Sequence, residues 1–219
     1  GDPTDSARRA AVLSEAETLA AKFNITSGSL SSVGEGLRFN AVANVADMNT
    51  YGAELARVNL RLARAGFGSN DQASLLDQRD NLLEKMSAFA SISTTFASDG
   101  TVAVSVGSPA TSFVSGGNVG TMTSTTAANG TMGFAIDGAA ISPGAGSLAG
   151  AALALDDLAA IAIRLDSAAS SIASAICRWW PGIASCVVST SISYFGRTSG
   201  RYRLTKYVPA RLPSADGGR

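Results

Sequence analysis

The chain has 219 residues, 46% of them hydrophobic and 16% charged, with 17 basic and 17 acidic side chains and no histidine. That apolar content over that length buries the core of one or two small domains, which excludes a disordered chain. Zero net charge excludes a global pull toward nucleic acid or membrane. The missing histidine removes the commonest general base and metal ligand, so no Ser-His-Asp or Cys-His site can form.

The zero is the sum of two unlike parts. Residues 1–176 carry 10 Lys/Arg against 16 Asp/Glu, and residues 177–219 carry 7 against 1. Both cysteines (Cys177, Cys186), both tryptophans (Trp179, Trp180) and Tyr194, Tyr202 and Tyr207 also lie beyond Ile176. The chain therefore reads as an acidic, Ala-rich body followed by a basic aromatic tail, a break that a shifted reading frame or a divergent extension would produce.

In chain order, a first helix is expected over Thr4–Asn24, with Val12, Ala16, Leu19 and Phe23 as its apolar line and a break at Asn24–Gly34. A second runs over Glu35–Ala65, where Met48, Tyr51, Leu55, Val58 and Leu62 alternate three and four apart, stopped by Gly66 and Gly68. Ser69 with Gln72 makes a capping-box start for a third helix to Ala90, whose buried face is Leu75, Leu82, Met86 and Phe89, widened by Leu76 and Leu83. The short Gly66–Asn70 turn makes the last two a helical hairpin.

After Ala90 the period changes to two. Ile92–Phe96 and Thr101–Val106, split by Ser98-Asp99-Gly100, read as a hairpin with Val102, Val104 and Val106 pointing one way. A second hairpin is signalled by Asn129-Gly130 between Thr121–Thr126 and Thr131–Ile136. Helix returns over Ser147–Ser174, where Leu148, Ala151, Leu155, Leu158, Ala162, Leu165, Ala169, Ile172 and Ile176 form a coiled-coil-like seam. Alternate alanines leave little apolar area per turn, so this helix needs neighbours.

The string LLDQRDNLLEKMS (Leu75–Ser87), followed by a strand and then DGTVAVSVG (Asp99–Gly107), resembles the flagellar hook-associated protein family, in the central region of its hook-filament junction branch. The motif positions are Leu75, Leu76, Asp77, Gln78, Arg79, Asp80, Leu82, Leu83, Ser87, Asp99 and Gly100. Phe113–Gly116 stands where the family has a Leu-Val-x-Gly-like turn. Asp2–Asn24 and Ile141–Leu158 are similar to further family helices, and the order matches from Asp2 to Ile176. The family's N-terminal segment and C-terminal helix have no counterpart.

Together these readings give a mainly α fold: an elongated antiparallel helical bundle or coiled coil, residues 1–95 and 141–176, with a small antiparallel β insertion at 96–140 and the tail at 177–219. The resemblance implies a structural subunit of the bacterial flagellum, extracellular and exported without a cleaved signal peptide, packing against copies of itself, the hook protein and the neighbouring hook-associated protein. It implies no catalytic, cofactor or metal site. The isolated chain is expected to be monomeric, because the terminal polymerisation helices are absent. The rival expectation is a secreted or cell-surface module that binds a glycan or protein through the β insertion.

Four features suggest chemistry, and each has a plainer explanation. Gly144-Ala-Gly146-Ser-Leu-Ala149, with Asp166 beyond it, imitates a dinucleotide fingerprint, but Asp166 lies inside an unbroken helical seam rather than at the end of a strand. Asp77, Asp80 and Glu84, like Asp156 and Asp157, are carboxylates on solvated helix faces rather than a cation site. Arg79 falls among the seam leucines, where it must snorkel or pair with a carboxylate across an interface. Arg197, Arg201, Arg203, Lys206 and Arg211 among tail aromatics mimic a nucleic-acid surface without any accompanying motif, and the uncharged stretch 179–195 holds Pro181 and Gly182 and makes a poor bilayer span.

Overall fold

The computed structural model describes residues 6–65 and 69–179. Helix α1 (Ser6–Leu62) is followed by α2 (Asn70–Ser87), seven strands, β1 (Ile92–Phe96), β2 (Val102–Val106), β3 (Thr111–Ser115), β4 (Asn118–Val119), β5 (Met122–Thr126), β6 (Met132–Ile136) and β7 (Ala139–Ile141), and then α3 (Gly146–Trp179). The fold is mainly helical with a small antiparallel β region. Residues 30–161 make one compact unit, and residues 6–29 with 162–179 belong to a second.

The first correction to the sequence reading is in α1, which is a single 57-residue helix with no break at Asn24–Gly34. The Ser and Thr residues that argue for a loop turn their hydroxyls back onto the helix: Thr26 Oγ1 donates to the Lys22 carbonyl and Ser29 Oγ to the Ile25 carbonyl, both at 3.0 Å. Satisfied in this way, they stop competing for the backbone. The expected apolar line is also rotated, since Val12 and Leu19 are exposed while Ala16, Ala20, Phe23 and Ser27 are half-buried. In residues 30–161 the line is as expected, with Met48, Leu55, Val58 and Leu62 all buried.

α2 begins where the sequence places it. Ser69 is its N-cap, the backbone N–H of Gln72 donating to Ser69 Oγ at 3.2 Å. It ends at Ser87, three residues short of the expected Ala90, where the chain turns toward β1. Leu75, Leu82 and Met86 join the α1 line in one core. Tyr51 and Phe89 stack at 6.0 Å between ring centres, with Lys85 Nζ 5.5 Å from the Tyr51 ring.

The β region forms two sheets, β1-β2-β3-β4 and β5-β6-β7, joined by a bridge between Ser108 and Ser142. The sequence reading omits β3, β4 and β7, although Gly116-Gly117 and Asp137-Gly138 are the two-residue turns that join them. The β1–β2 and β5–β6 hairpins are copies of each other, displaced by 30 residues from Ile92 to Met122 and from Val106 to Ile136 with identical register. Both second strands show the same alternation, with Val102, Val104 and Val106 buried in one and Met132, Phe134 and Ile136 in the other. These inward faces cover α1, and β3 packs close to it at Gly52, where an added Cβ would stand 2.7 Å from the Phe113 ring.

α3 contributes Leu148, Ala151 and Leu155 to the same core. Farther along the seam Ala162 and Ala169 are buried, Leu158 and Leu165 half-buried and Ile172 exposed. The side chains of Cys177, Cys186 and the rest of the basic aromatic tail lie outside the described residues.

Candidate functional site

The residues of the Leu75–Ser87 motif divide by helical geometry. Leu75 and Leu82 are buried, Leu76 and Leu83 flank them half-buried, and Asp77, Gln78, Asp80 and Ser87 are exposed. Arg79 is the exception to the simple amphipathic pattern, with a side chain 13% exposed. Its Nη1 donates to the Gly100 carbonyl at 2.7 Å, its Nε donates to Asp80 Oδ1 at 2.8 Å, and its guanidinium lies 4.8 Å from the centre of the Phe96 ring. The carboxylate it pairs with is therefore the next residue in the chain, not one across an interface.

Asp99 and Gly100 form the turn that receives this arginine. Asp99 Oδ1 accepts from the Thr101 backbone N–H at 2.9 Å and from Thr101 Oγ1 at 2.7 Å, closing an Asx turn. These two hydrogen bonds, the backbone one first, hold the Asp99 carboxyl below its usual range. Gly100 has φ of +86°, and a Cβ there would meet Leu76 Cδ2 at 3.0 Å, so the turn needs glycine for both conformation and space. The structure thus brings Leu76, Arg79, Asp80, Asp99 and Gly100 together as one joint between α2 and the first hairpin. Asp77 and Gln78 lie apart from it, on a surface groove of about 630 Å³ between α1 and α2 that Glu54, Arg57, Arg61 and Lys85 also line.

A second joint explains the glycine string before α3. The first N–H groups of α3 are taken by the end of α2, Ser147 N donating to the Ala88 carbonyl and Leu148 N to the Phe89 carbonyl, both at 3.0 Å. Gly146 (φ +77°) permits this approach, since a Cβ would stand 2.5 Å from the Phe89 carbonyl carbon. In a dinucleotide site those donors would face a phosphate. Here they close one helix onto another.

The residues that sequence reasoning missed are two asparagines on α1. Asn59, 1% exposed, donates from Nδ2 to the Val102 carbonyl at 2.8 Å and the Gly116 carbonyl at 3.1 Å, and its Oδ1 accepts from Val102 N at 3.0 Å. Asn49 treats Met122 the same way, Nδ2 to its carbonyl at 2.9 Å and Oδ1 from its N–H at 2.8 Å. Each amide imitates a strand residue, so α1 hydrogen-bonds directly to both sheets. Their positions among the buried residues Met48, Leu55 and Val58 were the available signal.

Among the described residues no three His, Cys, Asp or Glu side chains cluster to hold a metal, and no helix is long and apolar enough to cross a membrane. What the geometry concentrates is packing joints.

The family model described as the flagellar hook-associated protein FlgK helical domain matches residues 1–179. The chain belongs to the FlgK helical-domain family. No curated protein sequence matches it. Among solved structures it is similar to the flagellar hook junction protein FlgK from Burkholderia pseudomallei, with 22% identity and a TM-score of 0.56. That likeness, which concerns the fold, takes in 68% of this chain and 29% of the Burkholderia chain. The FlgK match ends close to the compositional break at Ile176 and includes both the α2–hairpin joint and the α2–α3 joint.

Proposed function

We propose that this chain is a structural subunit of the bacterial flagellum that helps form the hook-filament junction by packing of its helical domain between subunits. The observation that carries the reading is the family match over residues 1–179, which contains the Leu75–Ser87 motif and its joint with the Asp99-Gly100 turn. On this reading the motif is architectural: Arg79 and Gly100 fix the angle between α2 and the first hairpin, and the site carries no catalytic role. The β region works as an insertion within the helical domain and packs on α1 through Asn49 and Asn59. The partners are further copies of the chain, the hook protein and the neighbouring hook-associated protein, and the subunit works outside the cell in the flagellum. The rival binding-module reading loses support because the family match takes in the whole β region.

The test is genetic and microscopic. Deleting the coding region for residues 1–179 should leave hooks that bear no filaments, and an antibody against residues 30–161 should label the point where hook meets filament. Normal filaments after the deletion would overturn the proposal.

A further inference from the structure

We infer that an acidic ridge on α3 of one copy docks against an arginine-lined lip beside the α1–α2 groove of the next copy, an inference that rests on the proposed side-by-side packing of subunits. The ridge is Leu153, Asp156, Asp157 and Ala160, which share one helical face at three-and-four spacing. All four are exposed, Leu153 by 67%. The lip repeats that spacing with the opposite sign: Arg57, Leu60, Arg61 and Arg64, all exposed, Leu60 by 45%.

None of these five charged side chains forms an ion pair with another described residue. Glu54, Asp71 and Asp77 line the same grooves as the arginines, but none of them closes an ion pair with the lip. Each face sets one large exposed leucine among charges of one predominant sign, Glu54 being the acidic exception one turn before Arg57, so the two match in apolar content as well as in charge. Leu60 is held in place by close packing, since a Cβ on Gly117 would come within 2.8 Å of its Cδ2.

Arg57 and Arg61 line the groove of about 630 Å³ between α1 and α2, which has Val58 and Leu82 in its wall. It continues into a second groove of about 530 Å³ that shares Arg61 and is also lined by Arg64. The α1 side of this trough carries three arginines and Glu54, and the α2 side Asp71, Asp77 and Lys85, so the net positive side is the α1 lip. Because like faces repel, the contact joins the ridge of one copy to the lip of another. Where only one such contact forms between two copies, the unpaired ridge and lip at the ends accept further copies and build an open or ring-shaped assembly.

Sedimentation velocity of the full chain at rising concentration tests this, at about 0.05 M and about 0.5 M salt, where screening lengths differ severalfold. In contrast to the monomer expected from the sequence, self-association should appear at low salt and weaken about tenfold or more at high salt. Arg57→Glu/Arg61→Glu/Arg64→Glu and Asp156→Arg/Asp157→Arg should each weaken it about tenfold while melting like the parent chain. Mixing the two variants should restore association, because the reversed lip of one then meets the reversed ridge of the other.

Absence of low-salt association, indifference to either reversal, or failure of the mixture to recover would overturn the inference. So would loss of association on reversing Arg197, Arg201 and Arg203 in the full chain, which would make the tail the occupant. If both lip and ridge variants still build filaments in cells, this interface fails while the junction role stands. Normal filaments without residues 1–179 sink the junction role alone.

Discussion

Asp99 and Asn129 occupy equivalent places in the two copied hairpins, and each accepts from the backbone N–H and the hydroxyl of a threonine two residues on. Only Asp99 titrates. Its folded pKa lies below the usual value, so the stability it contributes is complete above the unfolded carboxylate range of about 4 and is lost as pH falls through the depressed value. Asp99→Asn, which copies the second hairpin, should abolish that acid dependence in denaturant titrations and leave stability at pH 7 nearly unchanged. Asp99→Ala should weaken the hairpin at every pH. A stronger effect is expected at Asn59, because removing its amide leaves the Val102 N–H and carbonyl buried without partners. Asn59→Ala should cost about 2–4 kcal/mol in urea unfolding, and Asn49→Ala, less buried, about half as much. The Asp99-Gly100 turn was legible in the sequence because turn chemistry is local. The role of Asn59 was not, because its partner lies 43 residues away and a lone asparagine in a helix reads as solvated.

Among the elements, the start of α2 and the inward faces of β2 and β6 could be read directly, since capping and two-residue alternation are properties of adjacent residues. The continuity of α1 could not. Its middle, from Asn24 to Gly34, has the composition of a loop, yet it stays helical with one face half-buried and the hydroxyls of Thr26 and Ser29 bonded back to the preceding turn. The hairpin copy was hidden for a different reason: pairs such as Val102 and Met132, or Val104 and Phe134, preserve burial without preserving identity. The junction of α2 with α3 yields a paired prediction about glycine. Gly146→Ala puts a methyl group against the Phe89 backbone at positive φ and should lower stability by at least about 2 kcal/mol. Gly150→Ala, one turn later with open space around its Cβ, should raise stability by about 0.5–1 kcal/mol. Thermal melts of the two variants should shift in opposite directions, and a shift in the same direction would mean that the α2–α3 closure does not hold Gly146 in place.

For the whole molecule, the break in composition at Ile176 and the end of the family match at residue 179 coincide. The body before it satisfies its own core: Leu55, Leu62, Leu82 and Leu155 are between 0% and 7% exposed, and both sheets are tied to α1 by asparagine amides. A segment whose apolar residues were not selected together with that core contributes little to its stability, because consistency of pattern across levels is what makes a sequence pack. A chain ending at residue 179 should therefore unfold at nearly the same temperature and denaturant midpoint as the full chain. Should truncation instead cost several kcal/mol, Trp180, Val187 and their neighbours would belong to the core, and the domain would extend past the family match.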